Sequence, residues 1–500
     1  MANQIVIAGG GTAGWMCAAA MARMAIPAGF KVALIESDEI GTIGVGEATI
    51  PSLHTFNAML GINEDEFLRE TGGTFKLGIE FVNWGADGTR YLHPFGQAGY
   101  DVNGVSFHQY WLKERLAGNP DAGDFQDYSL CASAALSGKF CRPGPGGNSI
   151  LTTLKYAFHF DAGRYAGFLR RYAEGRGVKR IEGKITDVAL NALTGEIVTL
   201  RLADGDAVSG DFFVDCTGFR ARLIGEALGV AYEDWSRYLP CDRAIAVPSE
   251  AMNPPRPFTR STADAAGWRW EIPLQHRTGN GHVYCSAFMS DETAKEALMA
   301  GLGGPALGEA RALRFRTGRR VAFWKGNCVA LGLAAGFLEP LESTSIHLIQ
   351  TGIARLMAIF PASIPSRAEI DEYNDQTALE YEQARDFLIL HYKVTRRDDT
   401  PFWRQCREMP IPDTLSHKID LFKGRGRTFR RQDDLFTTNS WLAVMLGQGI
   451  MPLGCDPLSE AMSSQTRKRL IEHVRESVRR AVQDMPKHVD FIAANCASNG

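Results

Sequence analysis

The chain opens with a short apolar run, QIVIA at 4–8, then a glycine turn, then the helical pattern TAGWMCAAAMARMA. This order predicts strand, tight turn and helix. A second apolar run, KVALIES at 31–37, predicts a strand ending at Glu36. From Glu182 the sequence reads as strands separated by the turn signals NALTG and ADGD, ending in an apolar strand that runs into Asp215-Cys216-Thr217-Gly218. In KLGIEFVNW at 76–84, alternation puts Leu77, Ile79 and Phe81 on one face and Lys76, Gly78 and Glu80 on the other. In GWRWEIPL at 267–274, Trp268, Trp270 and Ile272 form one bulky wall, with Arg269 and Glu271 opposite. After Glu342, Ile346, Ile349, Ile353, Leu356, Met357 and Phe360 fall at helical spacing, with Ser343 or Thr344 as the natural N-cap. Near the end, Leu470, Ile471, Val474, Val478 and Val482 make one helical stripe, with the arginines expected elsewhere on a solvated face.

Composition narrows the class. Five hundred residues suggest two or three domains or subdomains, and 45% hydrophobic with 22% charged residues is ordinary for a globular protein. A net charge of -3 argues against nucleic-acid binding. No apolar run has the length of a membrane span, and MANQIVIAGGG has no signal-type pattern. The ten cysteines are scattered, with no metal-ligand spacing. No metal and no membrane partner are expected, and the thiols are read as reduced in a cytoplasmic protein.

The first chemistry lies in the glycine turn. Gly9, Gly11 and Gly14 fit G-x-G-x-x-G between a strand and a helix, and Glu36 stands at the end of the second strand. Gly9 permits the turn, Gly11 lets backbone approach a pyrophosphate, and Gly14 allows close helix packing. N–H groups at the helix start, around Thr12 and Ala13, hold phosphate, and Glu36 accepts from ribose hydroxyls. The return of nucleotide-domain strands at 181–225 resembles the FAD domain of glutathione-reductase-like flavoproteins and flavin monooxygenases. GLGGPALG at 301–308 follows a helical segment and contains Pro305, so it is not read as a second fingerprint.

Three further stretches, GVGEATIP at 44–51, FKLGIEFVNWG at 75–85 and FLEPLESTSIHLIQ at 337–350, together with GWRWEIP, resemble the flavin-dependent halogenases typified by tryptophan halogenases. The resemblance runs from Met1 through 385–403 into SWLAVMLGQG at 440–449. It implies an α/β fold: a Rossmann-like FAD-binding domain with an added β-sheet region and a mostly helical substrate and C-terminal part. The expected divisions are 1–90 for the first FAD-binding part and lysine strand, and 91–180 for a helical substrate-side insertion. The FAD-binding return follows at 181–225 and a β-rich region with W-x-W-x-I-P at 226–325. The FAD and halide loop and helix occupy 326–360, and a helical substrate-site region 361–500.

The resemblance also implies chemistry. FAD arrives reduced from a separate NAD(P)H-dependent reductase and reacts with dioxygen to a C4a-hydroperoxide. Halide attacks it, and the hypohalous acid travels to a lysine beside an aromatic substrate. Lys76 is the implied lysine, as an ammonium that hydrogen-bonds the oxidant or as an amine that forms a haloamine; burial suits either role. Glu342, preferred over Glu339, is the implied catalytic carboxylate. The backbone N–H groups of Thr344 and Ser345 bind halide; the family often has glycine at the latter position. Glu47, Ala48, Val188, Leu333 and Ile346 join the FAD site. His93 and Phe95 line the substrate site with Trp441. Trp268, Trp270, Ile272 and Pro273 form a barrier that keeps substrate from the flavin.

This chain departs from the family where tryptophan halogenases grip the amino-acid end of tryptophan. Ser440-Trp441-Leu442 stands near the place of a tyrosine pair, and Leu446-Gly447-Gln448-Gly449 offers no acid. The expected substrate is a simpler arene such as indole, halogenated with bromide in preference to chloride, by a monomer or homodimer. The competing readings are an aromatic hydroxylase on the same fold and a flavin-binding protein without catalysis.

Overall fold

The strand Gln4–Ala8 is buried along almost its whole length because it runs through the middle of a sheet. Phe212–Asp215 lies parallel on one side, with Ile5 beside Phe212 and Ala8 beside Asp215. Lys31–Glu36 lies parallel on the other, with Ala8 beside Ile35. Lys179–Glu182 extends this sheet at one edge, and Cys328–Ala330 with Trp324–Lys325 at the other. Continuous apolar strands are what a parallel sheet covered on both faces requires. The helix Thr12–Met24 buries Gly14 through Ala22 and packs on the helix Ala162–Glu174, its run of alanines allowing close approach. The strands Ile185–Leu190, Ile197–Leu202 and Ala207–Ser209 form a small antiparallel sheet joined by the turns read from NALTG and ADGD.

The structure is a computed structural model that describes residues 4–39, 46–144, 150–360, 365–430 and 434–498. Two compact units emerge, each assembled from three separated stretches. The first comprises Met1–Gly73, Phe160–Arg237 and Arg314–Glu382, and holds the parallel sheet. The second comprises Thr74–His159, Tyr238–Leu313 and Gln383–Gly500. Another sheet runs in the order Arg311–Arg314, Arg243–Ser249, Thr278–Tyr284, Gly267–Pro273, Thr259–Asp264, Gly78–Val82, Arg90–Pro94, all but the end of its first strand in the second unit. The helices of 383–498 belong to this unit.

Two expectations change in detail. The single strand read from KLGIEFVNW is two strands, Thr74–Lys76 and Gly78–Val82. The first pairs with 157–159 and the second with Arg90–Pro94 and Thr259–Asp264. The change of partners falls at Leu77, whose N–H donates to the Pro257 carbonyl at 2.8 Å while its own carbonyl accepts from Phe95 at 2.9 Å. In the helix Ser464–Asp484 the buried stripe contains an arginine. Arg467 is 6% exposed and pairs with buried Glu114 at 2.6 Å, so the apolar stripe alone did not define the packed face. Among the described residues no helix is long and apolar enough to cross a membrane.

Candidate active site

In the first unit the glycine turn has the geometry that a dinucleotide needs. Gly9 has φ +107°, and a Cβ there would lie 2.3 Å from the Cys216 carbonyl oxygen. Gly14 carries the helix so close to the turn that a Cβ would meet the Gly9 oxygen at 1.8 Å. Among the described residues no atom lies within 4 Å of a Cβ built on Gly11. Backbone between Gly9 and Thr12 is therefore free to be approached at the N-terminus of a thirteen-residue helix. Glu36 folds over Gly10, whose Cβ would collide with its carboxylate. That carboxylate also accepts from the indole N–H of Trp15 at 3.1 Å and pairs with Arg180 and Arg170. These residues fit the adenosine and pyrophosphate portion of FAD, with the acid oriented by its own partners.

Asp215, which the sequence reading used only as a strand end, is a strut for this site. It is wholly buried and accepts from Thr217 N–H and hydroxyl and from the N–H groups of Leu223 and Ile224, at 2.6 to 2.9 Å. It thereby fixes the turn beside Gly9. Gly332 was also missed. With φ +61° it lets the turn Gly332–Ala334 approach Ala13, where a Cβ would lie 2.8 Å from the alanine methyl. Leu333 sits in that turn. Glu47 and Ala48 lie on the strand Gly46–Ala48, and burial pushes the Glu47 carboxyl up to about 7. Gly44 and Val45 of GVGEATIP lie outside the described residues. Val188 is half-buried in the small antiparallel sheet, opposite Leu200.

Glu342 ends the turn Pro340–Glu342 and is 1% exposed. Glu339, just before that turn, is also buried. Ser343 follows at φ +60°, a left-handed position uncommon for a residue with a side chain. This reversal puts Thr344 at the N-cap of the helix Ser345–Ala358. Thr344 makes no side-chain cap bond, contrary to the expected capping, and among the described residues its buried hydroxyl has no hydrogen-bond partner. A buried hydroxyl left over at a helix start, beside N–H groups that lie outside the helical ladder, suits an anion such as halide. Ser345 is partly exposed and Ile346 buried on the same turn. One residue on, His347 bonds Ser52 at 2.9 Å and Glu380 at 2.9 Å, tying the segment after Ala48 to this helix. Those partners come from distant segments and left no mark in local sequence.

The second unit holds the lysine, the barrier strand and the aromatic candidates. Lys76 is 0% exposed, and its Nζ lies 5.5 Å from the centroid of the Phe95 ring. Glu80, expected on the same face, pairs with Arg260 at 2.6 Å and with Arg90. Trp268 and Trp270 stand on one face of their strand with ring centroids 6.0 Å apart. The Trp270 ring lies over Gly281, where a Cβ would meet it at 2.0 Å. Trp268 continues into Trp84, 6.4 Å away, and Trp84 into Trp403. On the opposite face Arg269 pairs with Asp264 and Glu271 with Arg256. Ile272 is buried and Pro273 ends the strand.

His93 and Trp441 come together through two residues the sequence reading did not name. Phe387 lies 5.6 Å from His93 and 5.1 Å from Trp441, and stacks on Phe436 at 3.7 Å. Beside Trp441, Lys418 Nζ stands 4.4 Å from the ring centroid and pairs with buried Asp434 at 3.2 Å. The stretch 446–449 is packed inside. A Cβ on Gly447 would strike the Tyr91 ring at 2.3 Å, and Gln448 is wholly buried, donating to the His391 carbonyl at 3.0 Å.

A parallel sheet with its glycine turn and returning strands forms a dinucleotide-binding domain into which FAD fits. The comparisons then fix the family. Residues 4–464 match the tryptophan halogenase family. A curated tryptophan 6-halogenase from Streptomyces toxytricini is 34% identical, over 98% of each chain. A solved flavin-dependent halogenase from Xanthomonas campestris superposes with a TM-score of 0.96 at 49% identity, covering 100% of this chain and 99% of that one. Another from Brevundimonas sp. BAL3 gives 0.94 at 48% identity, with 99% of both covered. The chain belongs to the tryptophan halogenase family and is a halogenating oxidoreductase dependent on reduced FAD.

Proposed function

We propose that this enzyme halogenates a small electron-rich arene such as indole, with Lys76 guiding hypohalous acid and with bromide favoured over chloride. The observation that carries the proposal is the burial of Lys76. Lysine is almost never fully buried, so one with no exposed surface beside an aromatic ring supports a functional role for its amine. Reduced FAD, supplied by a separate reductase, furnishes the electrophilic halogen oxidant from dioxygen and halide. The Lys76 amine either donates a hydrogen bond to that oxidant or carries the halogen itself. The arene carbon bonds to halogen, its proton leaves, and hydroxide from the oxidant leaves as water. Glu342 is the proposed proton acceptor, and Thr344 with Ser345 the halide donors. The W-x-W-x-I-P strand supports the role of a barrier by its unbroken aromatic face.

The choice of an arene without an amino-acid handle rests on three features of the second unit. The stretch 446–449 contains no carboxylate, and its Gly447 and Gln448 are packed inward. Lys418 pairs with Asp434 at 3.2 Å beside Trp441, so this acid already faces a cation. The surfaces around His93 are flat rings, which suit an indole face. The bromide preference rests on its easier oxidation. Turnover with a reductase, NADH, FAD and both halides tests these points. Indole is expected to outrun free tryptophan, and brominated product to exceed chlorinated product in competition. Preference for tryptophan, or equal turnover with chloride, overturns the corresponding part.

A further inference from the structure

The register of the lysine strand places Thr74 opposite His159 and Lys76 opposite Ala157. Paired residues share a face, as do residues two apart, so Thr74, Lys76, Ala157 and His159 project together. Ala157, opposite the lysine, is buried. His159 is wholly buried and touches a threonine hydroxyl through each ring nitrogen: Thr74 at Nδ1 and Thr259 at Nε2, both 2.9 Å.

Proton accounting gives this chain a direction. The Thr74 hydroxyl also contacts the Pro273 carbonyl at 2.7 Å, and a carbonyl only accepts. The single Thr74 proton therefore goes to Pro273, and Nδ1–H of His159 donates to the Thr74 oxygen. A neutral imidazole then accepts at Nε2 from the Thr259 hydroxyl. The neutral form is the one the surroundings favour: burial first, then the positive charge of Lys76, hold His159 well below its usual range. The relay runs from the strand Thr259–Asp264, through His159 and Thr74, to the last residue of the W-x-W-x-I-P strand. The adjoining Phe75 N–H donates to His488 at 3.2 Å, so the lysine is flanked by two histidines held neutral.

We infer that His159 is a positioning residue for Lys76: its ring joins the lysine strand at Thr74 to the strand Thr259–Asp264, holds the Thr74 hydroxyl toward the Pro273 carbonyl, and so fixes where the amine is presented. The inference rests on the reading of Lys76 as the guiding lysine. Imidazole suits the task because it offers one donor and one acceptor on a rigid ring. An apolar ring of similar size would leave both threonine hydroxyls buried without this partner.

The test uses the full-length enzyme with FAD, a flavin reductase, NADH, bromide and indole. Wild type, Lys76→Ala, His159→Phe and His159→Gln are compared for brominated indole per flavin oxidised, for free hypobromite caught by monochlorodimedone, and for FAD affinity. His159→Phe is expected to lower product per flavin by about ten- to a hundredfold, the cost of misplacing a reacting group. FAD affinity and flavin oxidation should hold while trapped hypobromite rises. His159→Gln, whose amide also offers one donor and one acceptor, should recover much of the coupling. Full coupling in His159→Phe alongside an inactive Lys76→Ala overturns the positioning role and leaves Lys76 standing. Equal losses in the Phe and Gln variants, accompanied by loss of FAD binding, overturn it as merely structural. Full product from Lys76→Ala removes the reading of the lysine and the inference with it. Should His159→Phe not fold, Thr259→Val removes only the donor to Nε2; a fall in coupling supports the relay and unchanged coupling overturns it.

Discussion

Gly14 shows how much of the flavin site rests on single atoms. A methyl group there would lie 1.8 Å from the Gly9 oxygen, and neither backbone has room to yield without opening the turn. Gly14→Ala is expected to destabilise the fold by about 1–3 kcal/mol, the usual range for overpacking, and to weaken FAD binding. Thermal melts and flavin fluorescence titration check it; an unchanged affinity would show that the turn tolerates a side chain. Gly281 has the same role under Trp270. Gly281→Ala should displace the indole ring and lower the melting temperature, whereas an unchanged melt would mean that the ring has space to shift. The motif glycines were legible because backbone geometry leaves no other residue for a tight turn and close approach. Gly281 and Gly332 were not, because the atoms that crowd them come from distant strands and turns.

At the scale of elements, the lysine strand carries the clearest difference between periodicity and fold. Alternation from Lys76 to Glu80 suggests one continuous strand, and the exchange of partners at Leu77 is imposed by Pro257 and by the segment after Arg90–Pro94. Local pattern places residues on faces but does not count neighbours. The same limit hid His159, Phe387 and Phe436, each of which acts through segments far along the chain. His488 gives this region a pH signature. Burial lowers its imidazole from the usual 6.5 to about 4. The unfolded chain therefore takes up this proton first as pH falls, and stability should be full above about 6.5 and decline toward 4. The shift corresponds to about 3 kcal/mol. His159, lowered in the same direction, adds to it. Urea melts between pH 7 and 4 should show the decline, reduced in His488→Gln; an identical pH slope in that variant contradicts the assignment.

At the scale of the whole molecule, the fold class and the family were legible, since they rest on the strand–turn–helix order and on motifs of unusual composition. The sequence stretches assigned to the flavin side fall in one compact unit, and the lysine, barrier and aromatic candidates in the other. Each unit is stitched from three stretches of chain, a pattern that linear reading of composition has no means to display. The central claim is that this halogenase delivers its oxidant through Lys76, and one product assay tests it most directly. Wild type and Lys76→Ala are given FAD, a flavin reductase, NADH, dioxygen, bromide and indole, and the products are weighed by mass spectrometry. Brominated indole from wild type and none from the variant, with flavin oxidation continuing in both, is the predicted result. Undiminished bromination by Lys76→Ala, or hydroxylated indole formed without any need for halide, would contradict it.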